Sequence, residues 1–536
     1  MKTKKLTFLA VALLSAFASQ NSDAQTTRTW TNTGTTDFNL NTNWSGSTLP
    51  GTLDTASFAL TGSVQPNLTA NISISVLSLA GTNYTLTGDA GTALTLSKSG
   101  TGSAGAIWNG AGSNTIFANT VLSAASGGVG IGANAGGNLT IEGGVAVTNT
   151  NVLTFRAVAA NSTITVNGSL TGNVTGITIG NGVDSGIVRL LASSNANTSV
   201  TTINSGVLEV SKLANGGAAS SIGTAGNTGS FLTFGNAGGT LRYVGSGDTT
   251  DRQIGIGTGG TGTIESSGSG ALVFSSSTSP SYGSGSTRTY VFGGTNVGNN
   301  TVAWNMGSSN LIAVQKSGAG KWIFTGNNTY TNTTTVNAGT LIVNGSHVGG
   351  GSYTVNGTLG GNGTLRLGSA SVVTVNSGGS IAPGANLGEI GTLTLNGTTQ
   401  TGTVASFASG ATFTFDLDAG SMTSDRIALI NAASGDLVFN NNVINFSLTG
   451  SLVGGQSYTL FSADVSGAYF GLTLDGSNRV TAGLSFTGLG GVFQTNSYIQ
   501  QDGNDLVLQV VPEPSTWALL AGSLTVLMVL RRSRHA

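Results

Sequence analysis

The sequence predicts an all-β chain wound as a β-solenoid, with a closing β-module and a C-terminal helix long enough to enter a membrane. Three observations predict it. Glycine makes up 85 of 536 residues, and charged residues only 7%, against usual shares of about 7% and about 25%. Hydrophobic residues still reach 38%, too many for disorder, which needs low hydrophobicity with high net charge. The apolar residues come in short alternating runs, such as Leu77-Ser78-Leu79 and Leu393-Thr394-Leu395, between Gly, Asn and Ser clusters. Alternation is the strand period, and the clusters are turn chemistry. Between Gln25 and about Val510 no window carries the 3.6-residue spacing of an amphipathic helix. With six prolines and no glycine at every third position, collagen is excluded as well.

Charge and composition exclude several function classes. The formal net charge is −1, from 19 basic and 20 acidic residues, which gives no electrostatic footprint for nucleic acid. Cysteine is absent, and with it disulfides, thiolate metal sites and cysteine nucleophiles. The two histidines, His347 and His535, are too few for a multi-histidine metal site.

Residues 1–24 read as a secretory signal peptide. Lys2, Lys4 and Lys5 form the charged start, Leu6 to Ala18 the apolar run, and Ser22-Asp23-Ala24 the small-residue exit. Cleavage is expected between Ala24 and Gln25, so the mature chain is exported.

Residues 25–400 are expected to form the solenoid. Leu190-Leu191-Ala192-Ser193-Ser194-Asn195 through Gly206-Val207-Leu208-Glu209-Val210 runs parallel to Ile323-Phe324-Thr325-Gly326-Asn327-Asn328 through Gly339-Thr340-Leu341-Ile342-Val343, without a gap. A strand, an Asn corner, a second strand, a glycine and a third strand make one solenoid coil. Glycine supplies positive φ at the corners, and stacked Asn side chains can form hydrogen-bonded ladders.

The second copy resembles the autotransporter-associated, or passenger-associated, β-strand repeat. The matching residues are Lys316, Gly318 and Gly320, then Thr325-Gly326-Asn327-Asn328-Thr329-Tyr330, then Val336, Gly339, Thr340 and Leu341. Leu365 to Gly397, with its Ser380-Ile381-Ala382-Pro383-Gly384 turn, is similar to the usual sequel, and Arg242 to Arg252 to the segment following another copy. The repeats thus cover about 183–252 and 311–397. The resemblance implies a right-handed parallel β-helix on the bacterial surface. One departure is that the chain ends in a short tail, without a membrane β-barrel translocator. About 400 residues at about 22 per coil give roughly 18 coils and a rod of roughly 85 Å.

From about residue 401 the texture changes. Phe413, Phe415, Leu417, Phe446, Phe461 and Phe470 enrich residues 401–510 in phenylalanine, and a closing β-module or cap is expected there. Residues 511–536 then carry Val511-Pro512-Glu513-Pro514-Ser515-Thr516, an apolar run from Trp517 to Leu530, and a basic end of Arg531, Arg532 and Arg534. Pro514 cannot continue a strand but suits the first turn of a helix. The apolar run of 14 residues is roughly 21 Å as helix against about 30 Å of hydrocarbon, so spanning needs flanking residues or snorkelling arginines. The arginines would stay on the cytoplasmic side.

This tail resembles the PEP-CTERM sorting signal of Gram-negative bacteria. The resemblance implies Sec-dependent export, transient anchoring in the inner membrane, recognition by an exosortase at the motif, and delivery to the cell surface, outer membrane or extracellular matrix, often with exopolysaccharide.

Catalytic residues are scarce. Glycoside hydrolysis needs two carboxylates at a set separation, and the five glutamates are Glu142, Glu209, Glu265, Glu389 and Glu513. The acidic pairs are Asp248 with Asp251, Asp416 with Asp418, and Asp502 with Asp505. Asp416 and Asp418 share one strand face, expected to be an exposed polar one; the other pairs sit in corners where Asp caps its own turn. Gly127-Gly128-Val129-Gly130-Ile131-Gly132 has Gly where a calcium β-roll needs its Asp, and weak calcium binding in the Asp418–Asp425 loop has no support. The Gly255–Gly262 stretch has neither the lysine nor the helix of a phosphate loop, so it reads as corners. His347, in a Gly-rich loop, is expected to be solvated and without a partner. Trp30, Trp44, Trp108, Trp304 and Trp322 could stack on sugar but are expected in core or cap. The expectation is therefore no catalytic residue, metal or cofactor. It is a structural or adhesive surface rod that offers rows of Thr, Ser and Asn to polysaccharide or to other copies of itself. The alternatives are a β-helix polysaccharide-active enzyme and a membrane-tethered carbohydrate-binding protein.

Overall fold

The computed structural model describes residues 25–511, apart from 32–33, 99–104, 125–127, 308–310, 399, 401 and 432–436. The expected signal peptide through Ala24, the motif residues Pro512, Glu513, Pro514 and Ser515, the helix Trp517 to Leu530, and Arg531, Arg532 and Arg534 lie outside the described residues. Among the described residues no helix is long and apolar enough to cross a membrane.

The chain winds as a parallel β-helix. All but four strand pairings among the described residues are parallel, each joining a strand to one a coil later in the sequence. One ladder of 17 strands runs through the whole stack, from Asn67–Leu68 to Tyr469–Phe470. Its pairings pass rung to rung, through Thr163–Val166, Ile187–Leu190 and Val207–Val210 and later Thr334–Val336, Tyr353–Val355 and Val373–Val375. Two further faces flank this spine. Coils therefore read spine, third face, second face, spine: Thr85–Gly88, Ala93–Leu96, Ile107–Asn109, Ser113–Ile116 early on, and Tyr353–Val355, Thr358–Gly361, Thr364–Leu367, Val373–Val375 later.

Fourteen of the seventeen rungs lie before residue 400, fewer than the roughly 18 coils expected there, and three more, from Ala405–Phe407 to Tyr469–Phe470, continue past it. Coil length is more variable than expected: paired residues lie 19 positions apart at Thr334 and Tyr353 but 33 apart at Val207 and Thr240. The extra residues sit in corner loops such as 211–231, which leave the strand pairing intact. The two similar segments each form one coil, since Ile187–Leu190 pairs with Val207–Val210 and Lys321–Phe324 with Thr340–Val343. They are out of phase by one face. Thr201-Thr202-Ile203 lies on the second face, whereas Thr334-Thr335-Val336 lies on the spine. The strand–corner unit is the same on every face, so it fixes the coil without fixing where the coil starts.

Alternation puts one side of each strand inside. The inward row Leu208, Leu241, Ile264, Phe292 continues through Lys316 to Val336 and Val355, all fully buried. Each apolar side chain buried this way contributes about 1.5–3 kcal/mol, and each depends on its neighbouring coils. Corner glycines make the winding possible. Gly206 and Gly339, at the same place in the two similar segments but on different corners of the coil, hold φ of 69° and 64°, and a Cβ on Gly339 would stand 2.4 Å from the Gly320 carbonyl oxygen.

Both ends are covered. At the first coils Trp30, Phe38, Trp44, Phe58 and Tyr84 pack ring on ring, with centroids 4.8–6.3 Å apart. Past residue 400 the stack goes on: Ala405–Phe407, Thr412–Asp418 and Arg426–Ile430 pair in parallel with the coil before. The phenylalanine-rich texture is an aromatic core of Phe407, Phe413, Phe415, Phe439 and Phe461 inside these coils. Antiparallel pairing enters in small pieces, chiefly the hairpin of Tyr498–Asp502 and Asp505–Gln509 added to Ser457–Ala463. The last spine-flanking strand, Leu484–Thr487, has its Phe486 carbonyl capped by the Gln494 amide at 2.8 Å. Such capping blunts an edge that would otherwise template another chain. Val511 leaves this cap with its N–H on Ser497 Oγ at 3.2 Å.

Candidate interaction surface

The outward side of the spine carries the polar residues. Thr85, Thr115, Thr140 and Thr165 stand on four successive rungs, and Thr335, Thr354, Thr374 and Ser406 on four later ones. All eight are half-buried by their neighbours. Rungs are about 4.8 Å apart, so each row is a line of hydroxyls, each able to donate and accept. The second face repeats the device with Thr154, Thr178, Thr202 and Thr233.

Charge on this surface is arranged to cancel. The first threonine row continues as Arg189, Glu209, Arg242 and Glu265, one per rung. Arg189 Nε lies 2.8 Å from Glu209, and Arg242 lies 3.6 Å from Glu209 and 2.6 Å from Glu265. The alternation neutralises four of the few charges in the chain and leaves no patch of one sign there. Asn side chains join coils at some corners, as where Asn376 Nδ2 donates to Asn356 Oδ1 at 2.8 Å.

The acidic residues are arranged differently from the sequence expectation. Asp416 and Asp418 do share a strand face, alternating with the inward Phe415 and Leu417, but Asp416 is buried rather than exposed. Asp418 accepts the Gly420 N–H at 2.8 Å and the Ser421 hydroxyl at 2.7 Å, and these bonds lower its pKa. The residue facing Asp416 is Asp425, which is fully buried. Asp425 accepts N–H bonds from Asp416 at 2.9 Å and Gly391 at 2.8 Å. Burial pushes its carboxyl up to about 7, the Asp416 charge adding to the effect and the two N–H bonds opposing it. The sequence singles out Asp425 only as the far end of the Asp418–Asp425 loop, and its Ser-Asp-Arg setting gave no signal of its burial against Asp416.

Asp248 and Asp251 correct another expectation. They cap a loop one coil away, not their own turn: Asp248 accepts the Leu213 N–H at 2.9 Å, and Asp251 the Gly216 N–H at 2.8 Å. In a solenoid the spatial neighbour is a coil away in sequence, so a side chain outside a corner meets the next coil first. Asp502 and Asp505 face each other across the last hairpin.

His347 is the clearest correction. It lies on the strand Ser346–Gly350, 1% exposed, not in a solvated loop. Ser346 takes the outward position, so His347 points in, between Tyr330, stacked at 4.0 Å, and Tyr353. Its Nε2 is 2.8 Å from the Tyr330 carbonyl oxygen and its Nδ1 2.6 Å from the Tyr353 hydroxyl. A carbonyl only accepts, so Nε2 carries the proton and the Tyr353 hydroxyl donates to Nδ1. Burial lowers its pKa to about 4. Lys316 is, with Arg252 and Arg288, one of the fully buried basic side chains. From its core row the amine bends to the corner and donates to the carbonyls of Ser317, Gly318 and Ala338 at 2.7–3.1 Å, and burial lowers its pKa to about 8.

Trp30, Trp44, Trp304 and Trp322 are core or cap residues, at most 1% exposed. Trp108 is half-buried on the outside. Among the described residues no three His, Asp or Glu side chains gather closely enough to hold a metal ion. A cleft of about 310 Å³ at the C-terminal cap, lined by Val480, Leu484, Phe486, Gln494 and Tyr498 among others, has no carboxylate or imidazole in its wall.

Residues 314–343 match the family described as passenger-associated-transport-repeat. The match spans one full coil, from the spine strand Ile312–Lys316 through Thr334–Val336 to Thr340–Val343. Over 226 residues the chain is 34% identical to the adhesin BmaC autotransporter of Brucella suis biovar 1 (strain 1330), covering 39% of this chain and 6% of that protein. The chain thus spans a small fraction of that relative's length. The crystal structure of the Haemophilus influenzae Hap adhesin aligns over 85% of this chain and 64% of its own at 13% identity, with a TM-score of 0.22.

Proposed function

We propose that this chain is an exported adhesive or structural protein of the Gram-negative cell surface or extracellular matrix. The observation that carries the reading is the outer side of the seventeen-rung spine, where uncharged hydroxyl rows alternate with charges that cancel in place. Such a surface suits many weak, repeated contacts to exopolysaccharide or to neighbouring copies, whose combined strength exceeds that of any one. The repeat coil and the stretch shared with a protein named as an adhesin support the same reading.

In this reading a right-handed solenoid runs past residue 400 to Tyr469–Phe470, the hairpin of Tyr498–Asp502 and Asp505–Gln509 closes it, and the ends are addresses. The Sec machinery takes the chain through the inner membrane, and the Trp517–Leu530 helix anchors it there with Arg531, Arg532 and Arg534 inside. An exosortase then acts at Val511-Pro512-Glu513-Pro514-Ser515. A polysaccharide-active enzyme has less support: Asp425 is fully buried and Asp418 is engaged by its own turn. Deleting the chain from its host and restoring it tests the adhesive role. Surface attachment or matrix retention should fall on deletion and return with the full chain; unchanged attachment would sink it.

A further inference from the structure

Among the described tryptophans Trp108 alone stands outward. It is the middle residue of Ile107–Asn109, whose flanking Ile107 and Asn109 are fully buried. Its row on the second face reads Ser57, Ser78, Trp108, Gly132, Arg156, one residue per rung. Gly132 has no side chain, and the indole fills the vacant place: a Cβ on Gly132 would lie 1.7 and 2.0 Å from two carbons of its six-membered ring. The ring therefore leans along the row, across the next rung, and does not stand off the sheet. Among the described residues it makes no ring pair with another aromatic side chain, unlike the four buried tryptophans. Two rungs on, Asp184 holds Arg156 by Nε and Nη2 at 3.0 Å each. That pair fixes the guanidinium and leaves Nη1 outside it.

We propose that Trp108, with Ser78 on one side and Arg156 on the other, forms a subsite for one pyranose of a neutral, β-linked hexose chain. The ring supplies an apolar face for the C–H side of the sugar. The Ser78 hydroxyl and Arg156 Nη1, the nitrogen that Asp184 leaves free of its fork, supply hydrogen bonds to its rim. A β-linked chain is chosen because its equatorial linkages leave the flat C–H face of each sugar open to a ring laid along the sheet, and the row is nearly free of charge. A single subsite binds weakly, and the strength of attachment comes from many sugars and many copies.

The subsite deepens the adhesive reading and rests on it for its biological meaning, but it can fail alone. Calorimetric titration of the full chain with cellohexaose, and separately with laminarihexaose, tests it. Saturable binding of at least one hexaose is expected, weakened at least tenfold by Trp108→Ala and less by Trp108→Phe, with far-ultraviolet circular dichroism unchanged. Gly132→Ala should also weaken binding, because the ring must leave its place. Absence of saturable binding by both hexaoses, or equal affinity in Trp108→Ala, would overturn the subsite. In that case the deletion experiment on attachment still decides the adhesive reading by itself.

Discussion

His347 and Asp425 are two buried titratable residues whose effects on stability run in opposite directions with pH. Folding lowers the His347 pKa from 6.5 to about 4. Its contribution is therefore complete above pH 6.5 and is lost as the pH falls toward 4, by roughly 3 kcal/mol in all. Folding raises the Asp425 pKa from 3.8 to about 7, so its contribution is complete below pH 3.8 and is lost as the pH rises through 7. Hydrogen exchange resolved by coil should show the strands near Tyr330 and Tyr353 opening more readily at pH 4.5 than at 7.5. The strands near Asp425 should do the reverse. His347→Phe should remove the first pH dependence; if the slope stays, the imidazole is not its source. Neither residue announces its role in the sequence. A lone histidine beside glycines reads as loop until the strand phase is known, and Asp425 acquires its partner only when the Thr412–Asp418 strand folds beside it.

At the scale of the element, the corner and the row carry the fold. Gly339→Ala should cost about 1–3 kcal/mol for its left-handed backbone alone. The new Cβ would also press on two carbonyl oxygens and on Lys316 Nζ, 2.8 Å away. Gly217→Ala shares the positive φ, with nothing within 4 Å of its Cβ, and should lower the thermal midpoint less; equal losses would refute the crowding argument. In the outward rows Thr354→Val should change stability by no more than about 0.5 kcal/mol, since the hydroxyl serves the surface and the β-branched shape serves the strand. Arg242→Glu would align three carboxylates on successive rungs and should cost roughly 1 kcal/mol, partly recovered in high salt. Strands, corners and coil were legible in the sequence because alternation and glycine are local signals. The phase of one repeat against the other was not, because the three faces share one local pattern.

The whole molecule is stabilised by nearest-neighbour stacking between two covered ends. Seventeen rungs at about 4.8 Å make a spine of roughly 75–80 Å, which nears the length expected from repeat counting only because three rungs continue past residue 400. Low net charge and long neutral rows favour contact between copies, so sedimentation of the full chain should show concentration-dependent association that moderate salt does not abolish. A monomer at every concentration would contradict it. Trp30 and Trp44 were expected in core or cap, but their cluster with Phe38 was not legible, because its rings come from separate turns that meet on folding.

The central claim is that this solenoid works outside the cell after its two terminal addresses have been read. Mass-spectrometric mapping of both terminal peptides, on protein from the native cell-surface fraction, tests it most directly. The account predicts a chain that begins at Gln25 and ends within Val511-Pro512-Glu513-Pro514. A surface chain that runs intact to Ala536, or one that keeps Lys2 to Ala24, would contradict it.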